Sequence, residues 1–259
     1  MGKRRWAAAL VAAGMTLSLS ACASTDENQT DGSGDNAAAS LTQANFSQIL
    51  TAAQAEVQSA HMDATVDMGG QSGSISGDFS GFADIDSLSM DMQVDVAGQQ
   101  IEMRLVDKVL YVNAAAISGN KGKPWVKIDL NDPGNPLSRI MDTANPKNFT
   151  VYLQAVKTLD DKGMETVDGV EAHHYTVTID TAKAMAANPA LKGQDTSKLG
   201  LPGQITTDVW LNGDNLPVKM SVPLGDAGSF EAHFSKYDEQ VSVVAPPANQ
   251  ISDLTHFGG

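Results

Sequence analysis

Cysteine, aromatic residues and positive charge are all scarce in this chain, and the first and last of these shortages close off whole classes of function. A single cysteine, Cys22, in 259 residues excludes a disulfide framework, a thiolate zinc site and a CxxC redox pair. Only 17 Lys and Arg face 31 Asp and Glu, giving a formal charge of −14 and a pI near 4.5. A nucleic-acid partner is held by a basic patch that neutralises phosphates, so nucleic acid is excluded. Docking by charge onto anionic lipid is excluded for the same reason. Beyond the first 20 residues, no apolar run approaches the ~20 residues of a membrane-spanning helix. What is plentiful is apolar matter, 42% of the chain, enough to build a core and to exclude wholesale disorder.

The amino terminus carries the most specific signal. Lys3, Arg4 and Arg5 form a basic stretch, and Trp6 to Leu19 an apolar, Ala-rich one. Together they read as an export signal, too short and wrongly flanked to span a membrane. Leu19-Ser20-Ala21-Cys22 then resembles the bacterial lipobox, which implies cleavage before Cys22 and acylation of its sulfur and new amino group. Two or three acyl chains make a stable anchor, since each buried methylene contributes about 0.8 kcal/mol. The expected location is therefore the outer face of the plasma membrane. Loss of residues 1–21 would leave 14 basic against 31 acidic residues, a formal charge of −17.

Residues 22–40 read as the acylated Cys followed by a polar tether spanning roughly 25 Å if coil-like. A helix comes next, with Phe46, Ile49, Leu50, Ala53 and Val57 on one stripe. Period two then takes over. Met62, Ala64, Val66 and Met68 alternate with polar residues, as do Ile75, Gly77, Phe79, Gly81 and Ala83, then Leu88 to Val96, then Ile101, Met103 and Leu105. Lys108–Asn113 and Pro124–Leu130 add two short strands. Such alternation means an antiparallel sheet with one covered and one wet face. A helix is expected over Phe149–Leu159, with Tyr152, Leu153, Val156 and Leu159 on one side. Asp168-Gly169 marks a hairpin leading to Tyr175, Val177 and Ile179. Thr181–Asn188 reads as helical and the rest, to Gly203, as a loose insertion that could act as a lid. Strands at Ile205–Leu211, Leu216–Pro223 and Ser229–Tyr237 close a sheet of about ten. This gives one domain over 41–245 and a frayed tail over 246–259.

Sites for chemistry are hard to find. Gly70-Gln71-Ser72-Gly73 lacks the spacing of a nucleophile elbow, and Gly32 to Ala37 matches a dinucleotide fingerprint only loosely, with no strand before it. Asp129 to Gly134 starts like a calcium loop, but Pro133 and Ile140 occupy ligand positions. His173 and His174 are adjacent on a strand and point to opposite faces, and His61, His233 and His256 are scattered. Asp63, Asp67, Asp91 and Asp95 fall on the wet face as solvated charge. No enzyme is expected, and no metal or cofactor.

The methionines admit three readings. Met62, Met68, Met90, Met92 and Met103 share the covered face of consecutive strands. They could ligate copper, though no His or Cys completes a site. They could be plain core. They could also line an adaptable apolar cavity, with Gly77 and Gly81 leaving room beside them. On the third reading the lining residues are Val66, Met68, Ile75, Gly77, Phe79, Met90, Met92, Val94, Ile101, Met103, Leu105, Tyr175 and Val177.

Several segments together resemble the actinobacterial LppX/LprG lipoproteins, over roughly residues 45–250. They are Ser59-Ala60-His61, Lys108-Val109-Leu110-Tyr111-Val112 followed by Trp125, Asp132-Pro133, Gly163 to Val170, and Val209-Trp210-Leu211 followed by Leu216-Pro217-Val218. Tyr175 matches an aromatic or aliphatic strand position of that family. The resemblance implies an α+β fold similar to the LolA carriers: a strongly bent antiparallel half-barrel with helices on its concave face. It also implies an apolar cavity for the acyl chains of a lipid or glycolipid, shuttled or presented across the envelope. The partners would be that ligand, the plasma membrane through Cys22, and an envelope export partner. A different class remains open: a solid-cored, tethered interaction or sensory module that binds a partner protein.

Overall fold

The computed structural model describes residues 41–68, 70–82, 86–113, 122–132, 153–187, 202–223 and 228–252. Among them, α1 (Phe46–Glu56) leads into a first run of strands: β1 (Ser59–Met68), β2 (Gln71–Ser80), β3 (Ser89–Val96), β4 (Gln99–Val106), β5 (Val109–Asn113) and β6 (Trp125–Asp129). A second run comprises β7 (Val156–Val167), β8 (Val170–Asp180), a short α2 (Thr181–Ala187), β9 (Gln204–Leu211), β10 (Pro217–Pro223) and β11 (Gly228–Ser235). A two-residue β12 (Ile251–Ser252) ends the described chain.

All twelve strands form one curled, open sheet in the order β12-β6-β5-β4-β3-β2-β1-β11-β10-β9-β8-β7. Neighbours are antiparallel except β12, which runs parallel to β6. The strands join as hairpins within each run. Closure of the two runs comes from β1 against β11, with Ala64 opposite Ala232. The two alanines are buried and let these strands carry the inner layer past one another without bulk. α1 packs on the inner face: Phe46 and Leu50 join Leu41, Leu153, Tyr175, Val177 and Leu211 in one cluster. Each such side chain contributes roughly 1.5–3 kcal/mol by its burial. The architecture is the expected α+β half-barrel.

Three details differ from the sequence reading. First, the expected helix over 149–159 is in part strand: Val156 to Val167 is β7, while Tyr152 lies outside the described residues. A register shift between Val156 and Thr158 places Val156 opposite Ile179 and Leu159 opposite Val177, so two residues three apart face inward. That bulge imitates a helical spacing. Second, the sheet has two more strands than the ten expected, β7 and β12. Third, the segment taken as a frayed tail holds order as far as Ser252. After β11 the chain turns through Lys236 and Asp238, both at positive φ. The Asp238 amide donates to the Ser59 carbonyl at 3.0 Å, and the Gln58 amide donates to Asp238 Oδ1 at 2.7 Å. The strap then passes the outer-face side chains of Asp78 and Asp91, turns at Ala248–Gln250, and pairs Ile251 with Trp125. It thereby covers the β6 edge, which would otherwise present unpaired backbone groups.

Candidate functional site

Registers turn the alternation into rows across the inner face. One row runs Ala60, Phe79, Met90, Leu105, Leu110, Ile128. The next runs Phe234, Met62, Gly77, Met92, Met103, Val112, Val126. A third runs Tyr175, Val209, Met220, Ala232, Ala64, Ile75, Val94, Ile101. The last runs Val222, Phe230, Val66, Gly73, Val96. Val66, Ile75, Gly77, Phe79, Met90, Met92, Val94, Ile101, Met103, Leu105 and Tyr175 thus belong to one face, with Val177 two residues along β8 from Tyr175 and in the same cluster, while the Met68 side chain lies outside the described residues. The registers add residues that were not singled out: Phe230 and Phe234 on β11, Met220 and Val222 on β10, Val209 on β9. Their own period-two spacing carried that signal.

Cover over this face is uneven. Tyr175 and Val177 are almost wholly buried beneath α1, and Leu105 is sealed with Ile128 and Leu130 in a second cluster. Met90 packs against that second cluster; between the two clusters Ile75, Phe79, Met92, Val94, Ile101 and Met103 are half-buried, and Val96 at the β3 end is 43% exposed. Among the described residues the face is packed at one end and beneath the helix, and exposed at Val96 beside the turn at Ala97-Gly98.

The glycines do not contribute space. A Cβ on Gly77 would lie 2.8 Å from the Asp91 carbonyl oxygen and 3.0 Å from the Met92 Cα, and one on Gly73 2.9 Å from the Asp95 carbonyl. Gly81, at φ +79°, presses as closely on the Ser87 backbone. The volume that a side chain would fill is occupied by the β3 backbone and by the loop leading to it. These glycines let β2 meet the β3 backbone and the loop before it closely, which corrects the reading of Gly77 and Gly81 as room for a ligand.

The outer face is a mesh of ion pairs. His61 bridges Asp78 (2.6 Å) and Asp63 (3.2 Å), and His174 bridges Glu165 (2.9 Å) and Asp208 (3.1 Å) while stacking on Trp210 at 4.2 Å. His233 bridges Asp168 and Glu231, and Lys219 pairs with Glu231 at 2.9 Å. Arg104 meets Asp91 at 3.2 Å and lies over Trp125. Asp63 and Asp91 are therefore partnered, where solvated charge was expected. The Asp168 carboxylate raises the His233 pKa. The Trp210 indole N–H, then His174, hold Glu165 low, and Lys219, then His233, hold Glu231 low. Burial alone would raise Asp208, but the Thr176 hydroxyl and His174 bring it below its usual range. On the inner side, His173 stacks on Tyr175 at 4.6 Å and bonds Asp161 at 2.6 Å. His256 and most of the 180–203 insertion lie outside the described residues.

Among the described residues, no group of three or more His, Cys, Asp or Glu is placed to hold a metal, and no helix is long and apolar enough to cross a membrane. Two cavities, of about 230 and 500 Å³, sit beneath the strap and beside Tyr237. None of the sequence-named lining residues borders either one.

The model of the LppX_LprAFG lipoprotein family matches residues 42–243. The chain belongs to that family. Among solved structures it is similar to the lipoprotein LppX of Mycobacterium tuberculosis, at TM-score 0.55 and 18% identity, covering 78% of this chain and 98% of that one. It is similar also to LprF of Mycobacterium bovis, at TM-score 0.54 and 16% identity over 79% and 98%. At these identities the likeness shows the shared fold. A Streptomyces griseus protein, described as an uncharacterized 31.2 kDa protein in the rplA-rplJ intergenic region, is 26% identical over 173 residues. That match spans 60% of this chain and 56% of the relative's length.

Proposed function

We propose that this LppX_LprAFG lipoprotein is held by an acylated Cys22 on the outer face of the plasma membrane, and that it binds the acyl chains of a lipid or glycolipid against its inner sheet face. It carries or presents that lipid across the envelope, with an envelope export partner as donor or acceptor. The role is binding and release and requires no bond-making step. The observation that carries the reading is the belt of half-buried apolar side chains, Ile75, Phe79, Met90, Met92, Val94, Ile101 and Met103, continuous across β2, β3 and β4. A domain that had no use for this surface would gain by sealing it, at roughly 25 cal/mol per Å² of apolar area. Methionine suits a variable acyl guest because its unbranched thioether adapts to irregular shapes.

The test is the full chain purified from a host that exports and processes it, extracted with organic solvent and examined by native and denaturing mass spectrometry. A stoichiometric lipid is expected. Met92→Trp should abolish that lipid while shifting stability by less than about 1.5 kcal/mol, because the indole would fill guest space and not packed core. A protein of clean mass, with Met92→Trp costing 3 kcal/mol or more as overpacking of a solid interior, would overturn the proposal in favour of a partner-binding module.

A further inference from the structure

The larger of the two cavities, about 500 Å³, is enclosed by the tip of the β7–β8 hairpin. β8 begins at Val170, but its pairing with β9 begins only at His173, opposite Leu211. The tip therefore runs on past β9, and Asp168 at its turn bonds His233 on β11, three strands away in the sheet. The apolar lining of the cleft comes from Val170 on the hairpin, which is 41% exposed, from the buried Val218 on β10, and from Tyr237. Its parts are already held in place. The Tyr237 hydroxyl donates to the Pro217 carbonyl at 2.6 Å. Asn212, also at the cleft, accepts the amides of Asp214 and Leu216 on Oδ1 at 3.0 and 2.9 Å. A preformed cleft of this kind, apolar with a few convergent polar groups, is the usual form of a small-molecule site, which spans roughly 300–1,000 Å³.

We infer that this cleft is a second ligand site and that it takes a neutral saccharide. The inference goes beyond the carrier reading and stands apart from it, because no residue of the apolar belt borders the cleft. The signs of the lining choose the class. Besides Tyr237, the titratable groups at the cleft are Asp63 and Asp168 on one side of the balance and Lys236 and His233 on the other. His233 is shared between Asp168 and Glu231, and Glu231 also holds Lys219. Ser76 first, against burial, and then His61 and Lys236 keep the Asp63 carboxyl below its ordinary value. A phosphate or carboxylate ligand would meet Asp63 and Asp168, and a polyamine would meet Lys236 and His233, so like charges disfavour both. A hydroxyl is under neither penalty. It donates to a carboxylate and accepts from an ammonium or imidazolium, and an ionised carboxylate takes several donors beyond the one already bound. A sugar ring carries such hydroxyls at its edge and C–H groups on its faces, and the C–H faces suit Val170, Val218 and the Tyr237 ring. The same chemistry is found in a free envelope glycan and in the headgroup of a glycolipid.

The experiment uses the full chain, purified from a host that exports and processes it and kept in phosphatidylcholine nanodiscs, with empty discs as the blank. Saturation-transfer NMR is run with the neutral disaccharides maltose, cellobiose, mannobiose and chitobiose, and with glucose 6-phosphate and glucosamine as charged comparisons. At least one neutral disaccharide should take up saturation from the protein, and both charged sugars much less. Val170→Trp puts an indole into the cleft from an exposed position. It should abolish that transfer while the urea midpoint stays at the parent's value. Asp63→Asn, also at an exposed position, should weaken the affinity about tenfold, and it carries the decision if Val170→Trp lowers the midpoint. Discs that also contain a glycolipid with the bound disaccharide as headgroup separate the two sources. Suppression of the free sugar's signal assigns the cleft to the headgroup, an unchanged signal assigns it to a free glycan, and both support the site. Three results overturn the inference: no transfer to any neutral disaccharide, transfer that survives both substitutions in folded protein, or tighter binding of either charged sugar. Co-purifying lipid is measured on the same samples, so the carrier reading stands or falls separately.

Discussion

Beneath α1, Tyr175, Val177 and Leu211 are exposed by no more than 3%, whereas across the sheet Met90, Met92, Val94, Ile101 and Met103, on the same face, are half-buried. Both groups were laid down by the same period-two alternation and are joined by continuous rows of paired strands. The difference lies in what covers them. The first group meets the apolar stripe of a helix, so its side chains interdigitate and lose nearly all contact with water. The second is partly open and slopes to an exposed Val96. Alternation thus decides which way a side chain points, and the covering element decides whether that direction is sealed core or half-covered surface. Tyr175 and Val177 belong by this measure to the packed half.

Truncation is the bluntest way to test that division. Phe46→Ala should cost about 3–5 kcal/mol and Leu211→Ala about 2–5, because each leaves a cavity in close-packed surroundings. Met103→Ala should cost less than Leu211→Ala, about 1–2 kcal/mol, since Met103 keeps part of its surface in water. Urea unfolding of the three variants measures this directly. Equal losses at Leu211 and Met103 would erase the distinction.

Glycine supplies a second test, aimed at the β2–β3 contact and not the cover. Gly77→Ala should destabilise by about 1–3 kcal/mol, since its methyl must displace the β3 backbone at 2.8–3.0 Å. Gly213→Ala, with open space about its Cβ, should stay within about 0.5 kcal/mol of the parent. A tolerated alanine at 77 would mean that the β2–β3 approach is loose and that guest volume exists there after all.

These residues also mark how far the sequence alone can be read. Strict alternation in Met62–Met68, Leu88–Val96 and Ile101–Leu105 identified strands and faces, because a period of two has no helical imitation over eight residues. The bulge in β7 defeated the same reasoning: one extra residue moved Val156 and Leu159 onto a common face. Gly77 was misread because a missing side chain looks like space until the register shows whose backbone fills it. The strap from Lys236 to Ser252 leaves almost no apolar pattern, since it is held by the Asp238 amide on the Ser59 carbonyl, the Gln58 amide on the Asp238 carboxylate, the Tyr237 hydroxyl on the Pro217 carbonyl, and pairing at Trp125. The outer mesh was equally hidden, because its partners stand up to 65 residues apart and meet only through cross-strand neighbours.

That mesh makes the smallest and most specific prediction, a dependence on pH. The His233 pKa is raised above 6.5, first by Asp168 and then by Glu231, against burial and Lys219. Its contribution is therefore complete below pH 6.5 and is lost as pH rises through the raised value. Asp208 and Glu231 are lowered from 3.8 and 4.5, so their contributions are complete above those values and are lost as pH falls through the lowered ones. Stability from the mesh should be greatest between pH 4.5 and 6.5, with each partly exposed pair worth less than about 1 kcal/mol and reduced by salt. Asp168→Asn removes the largest cause acting on His233. The gap in unfolding free energy between parent and Asp168→Asn should be widest near pH 5.5 and should close as the pH is raised past neutrality. A gap that is constant from pH 5 to 8 would show that Asp168 acts through the geometry of its turn, where it sits at φ +52°, and not through the histidine.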